Sequence, residues 1–231
     1  MTETFHDTFA RLATLDRDVV AIAWLSLRVS LSAVAIGLVI GIPLGAFLAV
    51  ARFRGRSAMV GLLNAFMGLP PVIVGLVLYL VLSRSGPFGP LGLLFTPGAM
   101  VAAQAVLATP LVAALTRQVI ADAEDHLGEQ LRSLGLSAPR RAAVLIHDTR
   151  FSLVTTALAA FGRAISEIGA VLVVGGNIEG HTRTMTTAIS LETQKGDLSL
   201  ALALGFVLIG LVVTVNAVAA LLRGHAARAY G

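Results

Sequence analysis

The chain has 231 residues, 56% of them hydrophobic and only 13% charged, with no cysteine and a formal net charge of +4. Soluble domains carry about a quarter of their residues charged. The composition therefore describes an integral membrane protein, its length divided among spans rather than gathered into one water-soluble core. Disulfide and thiolate chemistry are excluded.

The first segment, residues 1–25, is read as extramembrane or interfacial. "MTETFHDTFARLATLDRDVV" mixes acidic and basic residues and lacks the basic start and short apolar core of a cleavable signal peptide. Phe5, Phe9, Leu12 and Leu15 would share one side of an amphipathic helix lying at the interface. A solvated leader helix fits the same pattern.

A membrane helix needs about 20 mostly apolar residues. The first such stretch is Ser30 to Ala51 and the second is Ser57 to Ser83. After "SGPFGPLGLLFTPG", a Gly- and Pro-rich loop, a third runs from near Gly98 to near Val119. Pro43, Pro70, Pro71 and Pro110 fall at or near membrane depth, where each frees a carbonyl and kinks a helix. Gly37, Gly41 and Gly45 recur at steps of four and allow close helix approach. Ordinary packing explains these residues; so does a bundle of bent helices that rock against each other, as in transporters.

The segment from Asp122 to Arg150 is the longest charged one and reads as two short helices with a break. Leu127, Leu131 and Leu134 form an apolar stripe. Gly135 ends the first helix, and Ser137 and Pro139 suit the start of the second.

The fourth span, Phe151 to Gly175, carries Arg163 and Glu167. Four residues apart, they fall on one helix face. Each charge costs about 2.5–3.5 kcal/mol at the bilayer centre, and Arg before Glu is the weaker order for a helical pair. Such groups face protein or a water-filled cavity, and Ser166, Thr155 and Thr156 add polarity to the same helix. Two readings stay open: a neutralised pair that holds this helix against neighbours or a second copy of the chain, or a path for an anion lined by Arg163 and tuned by Glu167.

Gly175, Gly176 and Asn177 end that span. The polar stretch "GHTRTMTTAIS" follows, with His181, Thr182, Arg183 and Thr184, either a solvated loop or a donor-rich mouth. The fifth span is Leu198 to Leu222, and residues 223–231 form a tail. Arg52, Arg54, Arg56, Arg117, Arg132, Arg140, Arg141, Arg150, Arg223 and Arg228 then share one side of the membrane. Arg11, Arg17, Arg84, Arg183 and Lys195 share the other, with Arg28 at the mouth of the first span. Positive charge marks the cytoplasmic side, which sets the N-terminus outside and the C-terminus inside. In a membrane protein this basic balance reads as topology, not nucleic-acid binding.

"EQLRSLG", Glu129 to Gly135, resembles the EAA loop of binding-protein-dependent ABC transporter permeases. Glu129 and Gly135 keep that family's spacing. Gln130 and Leu131 stand where alanines are usual, and Leu145-Ile146-His147-Asp148 lacks the usual proline. The resemblance implies a coupling helix formed by Glu129, Leu131, Arg132, Leu134, Gly135 and Leu136, docking on a separate ATPase subunit. The chain has no G-x-x-x-x-G-K-[ST] phosphate loop, so ATP and Mg would be used by that partner and this chain would be a transporter subunit rather than an enzyme, with no cofactor of its own.

From residue 26 to residue 222 the chain is similar to the permease subunit of tungstate ABC importers. "GLPPVIVGL", "LSRSGPFGPLGLLFTPGAM" and the run from Gly162 to Gly205 carry the likeness. Molybdate permeases share the R-x-x-x-E-x-G-A core at Arg163, Glu167, Gly169 and Ala170 and diverge in the loop after it. The resemblance implies an all-α type I importer permease fold of about five spans in a bacterial or archaeal cytoplasmic membrane. Its implied partners are membrane lipid, a second copy of the chain, an ATPase dimer and an extracytoplasmic tungstate-binding protein. It implies a translocation path at Arg163, Ser166 and Glu167, and an outer gate or docking surface at Asn177, Thr182, Arg183 and Thr184. The alternatives are a permease for molybdate or another oxyanion and an ATP-independent anion channel or carrier. An intramembrane enzyme is disfavoured, because His147 and Glu167 fall at opposite depths. His126, His147 and Asp148 show no metal-ligand spacing.

Overall fold

The computed structural model describes the backbone of residues 2–14 and 16–230 and the side chains of 4–8, 10, 14 and 16–221. Helix accounts for 81% of the chain, and no strand occurs among the described residues. The helices are α1 (Thr2–Ala13), α2 (Arg17–Val50), α3 (Arg56–Met67), α4 (Pro71–Leu82), α5 (Pro97–Ser133), α6 (Ala138–Asp148), α7 (Arg150–Ile165), α8 (Gly169–Gly175), α9 (Met185–Lys195) and α10 (Leu198–Tyr230). A short 3-10 turn, Gly89–Leu91, lies in the expected loop after the second span.

Among the described residues, three helices are individually long and apolar enough to cross a membrane: α2, α5 and the Leu198–Leu221 part of α10. The second and fourth expected spans are each a bent pair. The α3–α4 pair turns by 95° and the α7–α8 pair by 57°, so five spans result when each pair counts as one. The first break has a plain cause. Leu69 and Pro70 both precede a proline, which drives them out of the helical region, and Pro70 is extended at φ −62° and ψ 122°. Pro71 then opens α4, where its missing N–H costs nothing. Pro43 and Pro110 instead stay inside unbroken helices.

Two boundaries differ from the sequence expectation. Helix α2 begins at Arg17 rather than Ser30, so Arg28 lies within it. Helix α5 runs through 37 residues to Ser133, and the first short helix expected in the charged segment is its continuation. Between Val119 and Ser133 only Gly128 weakens the helix, by about 1 kcal/mol, too little to break it. Within α1, Thr8 is buried, and its hydroxyl donates to the carbonyls of Thr4 and Ser199. The side chains of Phe9 and Leu12 and the whole of Leu15, which would complete the apolar side of that helix, lie outside the described residues, as do the side chains of Arg11, Arg223 and Arg228.

The chain divides into two compact units: residues 1–33, 70–104 and 162–215, and residues 34–69, 105–161 and 216–231. In the first, α4 lies on α8 so closely that a Cβ on Gly75 would sit 2.8 Å from the Ala170 Cα. The loop before α5 is pinned there by a hydrogen bond from the Phe95 amide to the Val174 carbonyl, 2.9 Å. In the second, α2 meets α5 along its glycines. A Cβ on Gly41 would stand 2.8 Å from Val112 Cγ1, and one on Gly45 would run into the Ala113 carbonyl oxygen. Dispersion across such close contacts holds apolar helices together where no water is expelled. Leu48, Leu63, Ala113 and Ala114 fill one core there; Ala46, Val50, Ile120 and Leu145 fill another.

Candidate functional site

The fourth span breaks at Ser166–Ile168, where no proline or glycine forces it. Side chains take over the backbone's hydrogen bonding. The Ala164 carbonyl accepts from the Glu167 amide at 3.1 Å and from Gln104 Nε2 at 2.9 Å. The Glu167 carboxylate accepts from the amides of Gly169 and Ala170, at 2.8 and 3.4 Å, and so serves the first turn of α8. Thr186 donates to the Glu167 carbonyl at 2.9 Å. The expected pairing of Arg163 with Glu167 on one helix face does not form. Helix α7 ends at Ile165, which leaves Glu167 in the break and turned to α8. Arg163 is exposed and makes no hydrogen bond or ion pair among the described residues. Ser166 is exposed too, its hydroxyl donating to the Gly162 carbonyl. Thr155 and Thr156 hydroxyls return to carbonyls of their own helix.

The turn after α8 is tightly built. Gly176 and Asn177 take positive φ, 70° and 50°. Thr182 is fully buried; it donates to the Gly175 carbonyl at 2.6 Å and accepts from the Ile178 amide. Thr184 caps α9 in a reciprocal box with Thr187. Asn177 Nδ2 donates to the Thr187 carbonyl. Of the residues expected at an outer gate or docking surface, Thr182 and Thr184 are buried, and their hydroxyls order the turn. Arg183 is itself 11% exposed, 3.4 Å from Glu179 and 3.6 Å from Glu192, and Glu192 also holds Lys195 at 3.0 Å. Asp18, His181 and these charges line a cavity of about 300 Å³. Sequence reasoning misses Glu192, which is 5% exposed; the one signal for it is its i,i+3 step to Lys195.

The third cluster is the turn from α5 to α6. Gly135 has φ 72°, its amide bonds the Arg132 carbonyl, and the Leu136 amide bonds the Leu131 carbonyl. That is a Schellman ending, with the glycine where the sequence placed it. Glu129, Arg132 and Leu134 are exposed on it, whereas Leu131 packs with Leu127 against the core around Ile120 and Leu145. Leu134, 74% exposed, leaves the stripe it was expected to share. Ser137 stands at the N-cap of α6 without making a side-chain bond there. Among the described residues no group of three or more His, Asp or Glu is placed to hold a metal.

Bent apolar helices describe a multi-pass membrane protein, and comparison with known proteins agrees. Residues 41–229 match the family described as binding-protein-dependent transport system inner membrane component. The chain belongs to this family. This permease is 41% identical over 209 residues to the probable anion ABC transporter permease protein of Haloferax volcanii, covering 88% of this chain and 90% of that one. It is 39% identical over 216 residues to the tungstate uptake system permease protein TupB of Peptoclostridium acidaminophilum, covering 94% and 95%. Among solved structures, an inward-facing form of the MetNI methionine ABC transporter aligns with a TM-score of 0.58 at 21% identity, over 90% of this chain and 95% of that chain. That likeness establishes the type I importer permease fold. Family and helices together make this chain a multi-pass inner membrane component.

Proposed function

We propose that this permease is the membrane-spanning subunit of an ATP-driven oxyanion importer, with tungstate as its cargo. The observation that carries the reading is near-full-length likeness to a permease named for tungstate and to one named for anions. Residues 26–222 form the permease domain and 223–231 a cytoplasmic tail. Two copies line the path, a pair of ATPase subunits binds ATP and Mg, and an extracytoplasmic binding protein delivers the anion. ATP-driven closure of the ATPases pushes on the exposed Glu129–Leu136 turn, and the helices rock between inward- and outward-open arrangements. Arg163 supplies positive charge to the path. It is exposed in the single chain and has no partner among the described residues, as a group that meets a transient divalent anion should be: firm enough to attract, too sparse to trap.

Elemental uptake tests the reading. Cells with and without this chain, the native partners present, are given trace tungstate and molybdate in competition. Loss of tungstate accumulation in the deletion alone is expected. Loss of molybdate instead would transfer the same mechanism to the other oxyanion, and no loss of either would refute both as the cargo. An ATP-independent channel would keep its flux in Arg132→Glu; this permease loses it.

A further inference from the structure

The carboxylate of Glu124 lies one helical turn and more before the exposed turn of α5–α6, yet three of that region's features converge on it. Its Oε1 accepts from Arg132 Nη1 at 2.9 Å and from Arg141 Nε at 3.2 Å. Arg141 reaches onward and donates from Nη1 to the Leu136 carbonyl at 3.2 Å. The Glu124 and Arg141 side chains are 12% and 11% exposed. Gly128 leaves the space the carboxylate occupies: a Cβ there would stand 2.8 Å from Glu124 Cδ and 2.9 Å from Oε1, so the carboxylate would have to shift. Gly128 is otherwise an unfavourable choice inside a long helix. One buried carboxylate thus ties the last turns of α5 to the start of α6 and, through Arg141, to the residue that closes the turn.

We infer that Glu124 is a positioning residue: with Arg141, and with the space left by Gly128, it clasps the Glu129–Leu136 turn into one fixed geometry and so sets how tightly ATP hydrolysis is coupled to transport. The coupling half rests on the function proposed above. The physical reason is that a turn pushed by a partner transmits displacement only if it does not yield. Without the clasp, the turn keeps its glycine ending and the apolar packing of Leu131 but loses its polar tether to α6. Gly128→Ala is the informative change. Helix propensity alone would make it stabilising. Here the carboxylate must shift from its place between the arginines to admit the methyl group, and the clasp predicts that its bonds to them weaken.

The test uses the full chain assembled with its native ATPase and binding protein in vesicles. It compares wild type, Glu124→Gln, Gly128→Ala, Glu124→Ala and the double Glu124→Ala/Gly128→Ala variant. One readout is hydrogen exchange at the amides of Leu134, Gly135 and Leu136. The other is ATP hydrolysed per tungstate taken up. Glu124→Gln and Gly128→Ala are expected to speed exchange at those amides about tenfold, the loss of roughly one charge-assisted hydrogen bond, and to raise the ATP cost per anion. In the Glu124→Ala background, Gly128→Ala is expected to add nothing. Should any variant fail to assemble, Glu124→Gln, which keeps the side-chain shape, decides. Unchanged exchange, or an equal effect of Gly128→Ala in both backgrounds, would overturn the clasp. Faster exchange with an unchanged ratio would overturn its coupling role. Wild-type vesicles that take up no tungstate would sink the tungstate reading instead, and the exchange result would still decide the clasp.

Discussion

Removing the carboxylate of Glu167 leaves the amides of Gly169 and Ala170 without their acceptor at the start of α8. Loss of a capping side chain costs about 1 kcal/mol, so Glu167→Ala is expected to lower the melting temperature of the detergent-solubilised protein. Arg163→Ala removes no hydrogen bond or ion pair among the described residues. Its melting temperature and membrane expression should hold while uptake falls, and equal losses of expression and uptake would assign it a structural role only. The buried ion cluster makes a second contrast. Glu192 is 5% exposed between Arg183 and Lys195; removing one member of a buried pair costs about 3 kcal/mol or more. The Glu179 carboxylate is 80% exposed, and exposed pairs contribute little. Thermal unfolding should therefore show Glu192→Ala far more damaged than Glu179→Ala. From the sequence, Arg163 and Glu167 looked like partners because the span looked continuous. The signal for the break was slight: Glu167 stands just before Gly169, a carboxylate poised ahead of a new helix start.

Among the elements, the α2–α5 contact offers a graded test. A Cβ on Gly37 would meet Ala108 Cβ at 3.2 Å, one on Gly41 would meet Val112 Cγ1 at 2.8 Å, and one on Gly45 would strike the backbone oxygen of Ala113. A methyl group yields a few tenths of an ångström; a helix backbone does not. Gly→Ala should thus be tolerated at 37, costly at 41 and most costly at 45, with overpacking of about 1–3 kcal/mol at the worst site. Helix propensity alone would stabilise all three by a similar amount, so equal gains in melting temperature would contradict the contact. The step-of-four spacing was legible because it needs only one helix. The same holds for Gly135, whose role follows from local chain geometry, and for Pro70–Pro71. What is not legible in the sequence needs two elements at once. Glu124 and Arg141 are 17 residues apart and meet only because α6 folds back beside α5, and α5 itself ran past its expected end because nothing in "QVIADAEDHLGEQLRS" stops a helix.

For the whole molecule, the number of crossings and their direction turn on the two bent pairs. If the α3–α4 and α7–α8 pairs each cross, Ser85 and Glu179 share a side and Ser133 lies opposite. If each pair re-enters and returns, the helices that cross are α2, α5 and α10, and Ser133 and Glu179 share a side with Ser85 opposite. The arginine distribution favours the first arrangement, since it collects Arg52, Arg54, Arg56, Arg132, Arg140, Arg141 and Arg150 on one side, and positive charge belongs to the cytoplasm. The chain has no cysteine, so each single-cysteine variant reports one position. Ser85→Cys and Glu179→Cys should react with a membrane-impermeant maleimide in intact cells. Ser133→Cys should react only after permeabilisation. Reaction of Ser133→Cys alone in intact cells would keep five crossings and reverse the orientation. Shared labelling of 133 and 179 would mean re-entrant pairs, and would remove the path past Arg163 as drawn here, because residues on both sides of the break would then open to the same face.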